Sequence, residues 1–512
     1  MDKRFGLKTN CIKDIINVLK LQSEVEEALI FGSRAMGTYK NGSDIDIALK
    51  GEKITFDTIA TIRLRLDELP YLYMYDIIDY KKISNPAVTA HIDELGITFY
   101  KKEEVPSEWK TYKLGDFITH KKGFAFKSDL YKNKGCPIIR VTNFTGNSIS
   151  MNDILFIDID QKINFKEVEI KEDDIIIATV GSWPNNPSSI VGRVIKVPKV
   201  ANGALLNQNA VIIYPNKNLD KKFLYYLLKE KNFSNYLVAG AQGSANQASI
   251  KLEQIYSYEF SAPKDKVQQQ EIAQILTSLD DKIELNLQMN QTLEAMAQAL
   301  FKEWFVNFNF PGFDGELENG LPKGWRMGKL GDICSNVRVS FNPYRDGFIT
   351  NYIGLEHIPR RSIMLLDWGN SEDINSQKSQ FVKGDILFGK LRPYFHKVIV
   401  APFDGICSTD ILVIRALENK FHSYSYFHLF SDECIKYSNS QSDGTRMPRV
   451  NWNSLSNYEI PIPSKDILGL FQQTISPIFE KVYLSIFENQ SLTHTRDTLL
   501  PKLMSGKIEL KN

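Results

Sequence analysis

Cysteine is scarce in this sequence and shows no disulfide or metal-binding pattern. The 512 residues contain five cysteines, Cys11, Cys136, Cys334, Cys407 and Cys434, and none of them forms a CxxC pair. The seven histidines form no HExxH motif. These absences argue against a disulfide framework and against a clustered metal site. We therefore expect the cysteines to be reduced and mostly buried.

Long apolar runs and an excess charge of one sign are also absent. No stretch approaches the ~20 apolar residues that cross a bilayer, and the start of the chain lacks the apolar core of a signal peptide. The formal net charge of +1 neither requires nor excludes a nucleic-acid partner. The composition predicts a soluble, cytoplasmic protein of about two to four packed domains, without a membrane partner.

One sequence pattern occurs twice. The segment Pro106 to Phe117 (PSEWKTYKLGDF) is repeated at Pro322 to Ile333 as PKGWRMGKLGDI. Each copy is followed by short β-like runs and then by a helical segment. The period is too long for a solenoid, so it predicts two copies of a whole domain, each followed by a helix. Such a chain presents two similar surfaces, and we expect a target with two related halves.

Each copy ends in a helix that carries a coiled-coil seam. Apolar or small residues alternate by three and four positions from Ile272 to Trp304, with Asn286 and Asn290 in the two central positions. Buried Asn is a device that fixes register in coiled coils. A second seam runs from Leu468 to Leu503, and Pro477 within it predicts a kink or a restart. The two seams can pair, and antiparallel pairing would hold the two β domains at opposite ends.

Residues 1–103 alternate between predicted helices and strands, which is typical of a small α/β domain. The predicted helices are Cys11–Leu21, Phe56–Leu69 and Pro86–Leu95, and the predicted strands are Ala28–Phe31, Ile45–Leu49, Leu72–Ile78 and Ile97–Tyr100.

Three carboxylates in this domain suggest a metal site. Asp44 and Asp46 alternate along a predicted strand and so point to one face, where they could share a divalent cation. Asp76, on a later strand, could supply a third oxygen ligand. Carboxylates that bind magnesium are typical of enzymes that catalyse nucleotidyl transfer.

The GS, SDID and YDIID elements of this domain resemble, in order, those of the minimal nucleotidyltransferase family related to DNA polymerase beta. The resemblance implies Mg²⁺ and a nucleoside triphosphate as cofactors, with catalytic and metal-binding roles for Asp44, Asp46 and Asp76. The residues that it assigns to nucleotide binding are Gly32, Ser33 and Ser43. That family often works beside a helical toxin subunit, and no such partner is visible in this chain. The alternative is an inactive passenger domain.

Residues 107–512 closely resemble the specificity subunit of type I restriction-modification systems. The resemblance is carried by the two repeated openings and by five further segments, GCPIIRVTNFTGN (Gly135 to Asn147), GALLNQNAVII (Gly203 to Ile213), the helix Leu279 to Phe305, Lys383 to Arg415, and LLPKLMSGKI (Leu499 to Ile508). In that family two target recognition domains each read half of a bipartite DNA site. Two helices set the gap between the half-sites and dock two methyltransferase subunits, and a restriction (motor-nuclease) subunit joins for cleavage. S-adenosylmethionine and ATP would then be bound only by partner subunits.

These observations predict an α+β multidomain fold, with two loop-rich β/α target recognition domains separated by two long antiparallel coiled-coil helices. The predicted segments are a nucleotidyltransferase-like domain (1–103), a first recognition domain (107–263), a central helix (264–309), a second recognition domain (321–463) and a distal helix (464–510).

Double-stranded DNA is read by side chains that present paired donors and acceptors in the grooves. The candidates in the first recognition domain are Lys121, Lys122, Lys127, Arg140, Asn143, Asn185, Asn186, Asn207, Gln208, Gln242 and Asn246. Those in the second are Arg338, Arg360, Arg361, Lys390, Arg392, Tyr394, His396, Lys397, Arg446 and Arg449. Any one of them fits solvated surface charge equally well. The clusters Ala241 to Ser249 and Asp443 to Val450 stand out because they occupy matching places in the repeat.

The leading hypothesis is a DNA-reading subunit that is not itself catalytic, fused to a nucleotidyltransferase-like domain. The rival is an enzyme that transfers AMP to a protein or RNA, with the repeated region delivering it. A third possibility is that two neighbouring reading frames are joined. Neither the bases read nor the length of the gap follows from composition, because both depend on loop conformation.

Overall fold

The computed structural model describes residues 4–22, 24–40, 42–102, 109–145, 148–151, 153–183, 191–244, 247–346, 351–370, 374, 376–444, 446–508 and 510. The chain divides into two compact units, Met1–Ile275 with Leu499–Asn512, and Leu276–Thr498. All five cysteines are free and buried, as predicted. Within the described ranges, no helix combines the length and apolar character that a bilayer crossing requires.

The N-terminal domain is a four-stranded sheet covered by helices. Its helices are α1 (Thr9–Lys20), α2 (Gly32–Ala35), α3 (Phe56–Asp67) and α4 (Pro86–Leu95), and its strands are β1 (Glu27–Ile30), β2 (Ile45–Lys50), β3 (Tyr75–Asp79) and β4 (Ile97–Lys101). The strand order is β3-β2-β1-β4, and β2 and β3 are parallel. Helix α3 begins where Thr55 accepts a hydrogen bond from the Thr58 backbone N–H. Helix α4 begins at Pro86, after an Asn85 cap.

The first repeat domain has twelve short strands and three short helices before a long helix. The strands are β5 (Trp109–Lys113), β6 (Ile118–Lys122), β7 (Cys136–Ile139), β8 (Leu155–Ile157), β9 (Ile175–Ala178), β10 (Val180–Gly181), β11 (Val194–Lys196), β12 (Leu205–Leu206), β13 (Ala210–Pro215), β14 (Gln242–Ser244), β15 (Gln247–Ser249) and β16 (Glu259–Pro263). The helices are α5 (Lys221–Lys229), α6 (Lys231–Ala239), α7 (Leu252–Tyr256) and the long α8 (Lys266–Phe305).

The second repeat domain follows a small hairpin and has the same plan. The strands, including the hairpin β17 and β18, are β17 (Leu317–Glu318), β18 (Leu321–Pro322), β19 (Arg326–Lys329), β20 (Cys334–Asn336), β21 (Ser340–Phe341), β22 (Asn351–Ile353), β23 (Gly369–Asn370), β24 (Lys378–Phe381), β25 (Ile386–Gly389), β26 (Val398–Val400), β27 (Gly405–Cys407), β28 (Ile411–Ala416) and β29 (Glu459–Ile462). The helices are α9 (His422–Phe430), α10 (Asp432–Ser440), α11 (Trp452–Leu455) and the long α12 (Lys465–Met504).

The two repeat domains share one topology. The main sheet has the order β11-β9-β13-β6 in the first domain and β26-β25-β28-β20 in the second, and both are antiparallel. The pairs β5–β16 and β19–β29 close the two domains in the same way, before long helices of 40 residues each. The sequence repeat is therefore a structural repeat, as predicted.

The repeated LGD motif marks the same tight turn in both domains. Leu114 and Leu330 are fully buried at the start of a short 3₁₀ turn. Their backbone N–H groups donate to the carbonyl oxygens of Tyr258 and Tyr458, at 2.8 and 2.9 Å. The motif therefore fastens the first strand of each domain to the segment that precedes its last strand.

Helices α8 and α12 pack in antiparallel fashion within the second unit. Asn286 in α8 donates to the Asn489 Oδ1 atom at 2.8 Å, whereas Asp280, earlier in α8, pairs with Arg496, later in α12, at 2.7 Å. Asn286 and Asn290 are both 1% exposed, so the polar centre of the seam is buried as predicted.

Of the two outcomes predicted at Pro477, a kink or a restart, the restart was wrong. Helix α12 runs from Lys465 to Met504 without interruption, because burial of the seam on both sides of the proline outweighs the hydrogen bond that it removes. The short helices α5, α6, α9 and α10 were not predicted at all. Asp220, which caps α5 by accepting from two backbone N–H groups, was the available signal.

The aromatic run near the end of α8 packs inside the second unit. Phe301, Trp304 and Phe305 are buried, and their rings contact those of Tyr424 and Phe471. Nearby in α8, Glu294 accepts hydrogen bonds at 3.0 Å from the Ser362 hydroxyl and the Ile363 backbone N–H. Helix α8 is thus fastened to the second repeat domain by both apolar and polar contacts.

Candidate functional sites

Three chain segments meet at one backbone junction in each repeat domain. In the first domain, the Thr179 N–H donates to the Asn209 carbonyl at 2.8 Å, and the Ile250 N–H donates to the Thr179 carbonyl at 2.9 Å. In the second domain, the Lys390 N–H donates to the Asp410 carbonyl at 3.0 Å, and the Val450 N–H donates to the Lys390 carbonyl at 3.1 Å. The two junctions have the same backbone connections and different side chains.

A hairpin stands beside each junction, in the two clusters that the sequence singled out. In the first domain Gln242 pairs with Ser249 across β14 and β15, and β15 also pairs with β10. In the second domain Asp443 pairs with Arg449, which in turn bridges to Leu391. The prediction that these clusters occupy matching places is confirmed.

The second junction borders a groove of about 750 Å³. Three predicted DNA-binding residues, Arg338, Lys390 and Arg449, line it together. Lys378 also lines the groove, and sequence reasoning missed it because β24 is distant in the chain from the other three. Burial lowers the pKa of Lys378 from its ordinary value. The cations that the groove brings together suit a phosphate-bearing ligand.

Arginine side chains form a second group around the turn that follows β25. The Arg360 guanidinium lies over the Phe395 ring at 4.1 Å, and that of Arg392 lies 5.9 Å from the same ring. Arg392 also donates to the Arg446 carbonyl at 3.4 Å, and Tyr394 is 49% exposed. The structure therefore places these four predicted residues close to Phe395.

Several candidates are held in structural roles instead. Asn143 is 4% exposed and accepts a hydrogen bond from the Arg140 N–H at 2.9 Å, so it shapes a turn and is not available to a base edge. Arg140 itself donates to the Asp153 carbonyl at 3.1 Å. His396 is 3% exposed and bonded to the Phe430 carbonyl at 2.7 Å, and Lys397 donates to the Leu355 carbonyl. Burial lowers the pKa of both His396 and Lys397.

The remaining candidates have varied positions. Asn207 is buried and Arg361 pairs with Asp432 at 2.9 Å. Exposed candidates in the first domain are Lys121, Lys122, Lys127, Gln208 and Gln242. Three predictions, Asn185, Asn186 and Asn246, lie outside the described residues.

In the N-terminal domain two of the predicted carboxylates lie side by side. Asp46 on β2 and Asp76 on β3 are register partners across the parallel pair. Asp44 is exposed and lies immediately before β2. Within the ranges that the structure covers, no three Asp, Glu, His or Cys side chains converge as a ready-made metal site. The arrangement is thus a carboxylate pair with a third carboxylate nearby.

The backbone at Gly32 lies close to the Asp46 carboxylate. Gly32 has a φ of +67°, and a Cβ atom there would lie 2.4 Å from the Asp46 Oδ2 atom, so only glycine fits without a shift. Arg34 is 3% exposed and donates to the Asp44 carbonyl at 2.9 Å and to the Ser43 carbonyl. Ser43 therefore has a structural role through its backbone, while its hydroxyl accepts from the Lys40 N–H at 2.9 Å. Ser33, which follows Gly32, is half-buried.

The carboxylates of this site are only partly balanced by Arg34 and by Arg63, which lies 3.7 Å from Asp76. Burial raises the pKa of Asp46 first, followed by repulsion from Asp76 and Asp44, and Arg34 lowers it in part. Like charges held together in this way favour a cation or a proton.

Comparisons with known proteins agree with this division of the chain into two repeat domains and an N-terminal domain. A family model described as "Type I restriction modification DNA specificity domain" matches residues 106–295 and 322–493. A model described as "Polymerase beta, Nucleotidyltransferase" matches residues 13–105. The chain therefore belongs to the type I restriction-modification DNA specificity family and carries an added nucleotidyltransferase-family domain at its N-terminal end.

Relatives match over nearly their whole length. The type I restriction enzyme MjaIX specificity subunit of Methanocaldococcus jannaschii is 27% identical over 80% of this chain and 95% of its own. The HindI specificity subunit of Haemophilus influenzae is 26% identical over 78% of this chain and 100% of its own. The crystal structure of a type I restriction-modification S subunit from M. genitalium has the same fold, with a TM-score of 0.50 and 17% identity over 78% of this chain and 97% of that one.

Proposed function

We propose that each repeat domain reads one half of a bipartite DNA site, and that the junction hairpin of each domain faces the bases. The observation that carries this proposal is the shared junction, which keeps one backbone geometry while its side chains change from Asn209 and Ser249 to Asp410 and Arg449. A common scaffold with different side chains is what two readers of different half-sites require.

The paired helices α8 and α12 would set the gap between the half-sites, because a helical separator has a fixed length. The proposed partners are double-stranded DNA, two methyltransferase subunits and a restriction subunit that supplies the motor. S-adenosylmethionine and ATP are bound by those partners in this proposal, and the complex works in the cytoplasm.

Methylation mapping tests this function. The full chain is purified with its methyltransferase and used to methylate DNA of mixed sequence, and the modified sites are mapped. We expect one bipartite motif with a constant gap. Methylation at sites without any shared sequence, by an intact complex, would refute the proposal.

We further propose that the N-terminal domain binds Mg²⁺ and a nucleoside triphosphate and transfers AMP from ATP to a protein or RNA, with release of pyrophosphate. The Asp46–Asp76 pair fits a divalent cation, since a cation would relieve the repulsion that raises the pKa of Asp46, and phosphate oxygens would complete its ligands. The turn that begins at Gly32, whose backbone lies close to the Asp46 carboxylate, suits a phosphate group. Magnesium would neutralise phosphate charge in the transfer.

Labelled ATP distinguishes an active domain from a passenger. The complex is incubated with α-labelled ATP and Mg²⁺, and label on protein or RNA is compared between the natural chain, Asp44→Ala and Asp46→Ala. Transfer that both substitutions abolish supports the proposal. Equal labelling by all three proteins, or no labelling with cellular protein and RNA supplied, contradicts it.

A further inference from the structure

Arg449 lines a groove and is held in place by a hydrogen bond to Asp410. Its Nε atom donates to the Asp410 Oδ1 atom at 2.9 Å, and Arg449 lines the 750 Å³ groove whereas Asp410 does not. Among the described residues, nothing else bonds to this guanidinium, so both terminal nitrogens keep their donors. The side chain is 44% exposed, which leaves it accessible to a large ligand.

The backbone fixes the position of both residues. Asp410 precedes β28, its N–H donates to the Ser408 hydroxyl at 3.2 Å, and its carbonyl accepts from the Lys390 N–H at the junction. Arg449 is held in the hairpin by two backbone bonds with Asp443, at 2.9 and 3.0 Å. Neither set of bonds depends on the Arg449 side chain.

Arg415, in the same domain, shows how a structural arginine differs. Its Nε and Nη2 atoms both donate hydrogen bonds to the buried Asp385 carboxylate, at 2.6 and 2.7 Å. That pairing uses the forked face of the guanidinium. Arg449 uses only its Nε atom and presents its other donors to the groove.

We propose that Arg449, oriented by Asp410, reads a guanine in the half-site of the second repeat domain. The inference rests on the proposed function and names a residue that determines specificity within it. Guanine presents O6 and N7 as neighbouring acceptors in the major groove, and a guanidinium with two free terminal nitrogens matches them. Asp410 is a positioning residue, because it acts through Arg449.

The first repeat domain has no arginine–aspartate pair at the positions that match Arg449 and Asp410. Ser249 takes the position of Arg449, and its hydroxyl donates to the Gln242 carbonyl at 3.1 Å. Asn209 takes the position of Asp410. Gln242, which pairs with Ser249 as Asp443 pairs with Arg449, is exposed on the hairpin and serves as the control residue for the other half-site.

Methylation mapping with variants of the full complex tests the assignment. With Arg449→Ala we expect one G·C position in one half-site to lose its preference by about tenfold or more, while the gap and the other half-site stay unchanged. With Arg449→Gln we expect the preference at that position to move towards A·T, because an amide pairs with adenine. Gln242→Ala should change only the other half-site, if it changes any.

The outcomes separate the two proposals. A bipartite motif for the natural complex that Arg449→Ala and Arg449→Gln both leave unchanged overturns the inference and spares the proposed function. The absence of a bipartite motif for the natural complex refutes the proposed function itself. If Arg449→Ala stops methylation, Arg449→Gln decides: a retained G·C preference counts against the inference, and a lost one supports it.

Asp410 has its own test. Asp410→Asn keeps an oxygen that can accept from the Arg449 Nε atom, so it should retain most of the G·C preference, whereas Asp410→Ala should loosen that same base position. Slower methylation with an unchanged base preference, equal for both variants, would mean a merely structural role.

Discussion

At the scale of single residues, the proposed nucleotide site depends on the absence of a side chain at Gly32. In Gly32→Ala the new Cβ atom would lie 2.4 Å from the Asp46 Oδ2 atom, at a φ of +67°. We expect this variant to lose labelled AMP transfer and to unfold at a lower temperature, because the backbone strain of roughly 1–2 kcal/mol is added to the clash.

Gly37→Ala is the matched control for that measurement. Gly37 has a similar φ of +74° with nothing within 4 Å of the added atom. It should show the strain alone and keep the transfer activity. Equal unfolding temperatures for the two variants would argue against a close approach at Gly32.

The pKa of Asp46 predicts how this domain responds to pH. Because the pKa is raised in the folded state, the contribution of Asp46 to folding is greatest below its ordinary value of 3.8 and is lost as the pH rises through the folded value. Asp76→Asn removes one source of the repulsion, so we expect it to raise the unfolding temperature at pH 7 more than at pH 3. Asp76 also pairs with Arg63 at 3.7 Å. In an Asp46→Asn background the same substitution removes only that exposed ion pair, so it should no longer raise the unfolding temperature more at pH 7 than at pH 3.

For single residues, the sequence predicted which side chains have suitable chemistry better than it predicted where they lie in the fold. The carboxylates Asp46 and Asp76 lie together as expected, because strand alternation fixes which face each occupies. The side chain of Asn143 is buried and accepts a backbone hydrogen bond, a use of loop asparagines that nothing in the sequence distinguishes from DNA contact. Asp410 was missed, since its bond to Arg449 depends on the meeting of segments far apart in the chain.

At the scale of elements, the two buried asparagines of α8 should differ in energetic weight. Asn286 donates to Asn489 Oδ1 and to Glu488 Oε2, each at 2.8 Å. Asn286→Leu leaves those acceptors without their donor, and we expect it to lower the free energy of unfolding by about 1–3 kcal/mol, measured by chemical denaturation.

Asn290→Leu is the comparison within the same helix. Its Oδ1 atom is buried and has no hydrogen-bond partner among the described residues. Replacing it with an apolar side chain removes an unsatisfied oxygen, so the free energy of unfolding should stay the same or rise. A larger loss for Asn290→Leu than for Asn286→Leu would contradict this account.

Elements with a strong periodic pattern were predicted well. Predicted helix Pro86–Leu95 has the observed bounds, and both coiled-coil seams lie where the spacing placed them. The strand pairing of the repeat domains did not follow from the sequence, because short strands joined by long loops are compatible with many orders. The restart predicted at Pro477 does not occur, because packing along the whole of α12 outweighs the tendency of proline to interrupt a helix.

At the scale of the whole molecule, helix length should determine the gap in the recognised site. One heptad is inserted in α8 and another opposite it in α12, both beside the Asn286–Asn489 pair. The paired helices then become longer by about 10 Å. We expect the mapped gap to grow by about three base pairs, with both half-sites unchanged. Seven residues inserted at Gly315, in an exposed turn outside the helices, should leave the gap as it is.

Each repeat domain is attached to its own long helix by the same bond. In the first, the Asp220 N–H donates to the Gln269 side-chain oxygen at 2.9 Å, and in the second the Ser423 N–H donates to that of Gln472 at 2.9 Å. Each repeat domain and the first turns of its long helix thus form a cassette joined by its own hydrogen bond, while the later turns of α8 pack against the second repeat domain. Recombination between genes could replace one cassette whole, and the descendant would acquire a new target sequence while keeping the old one for its other half.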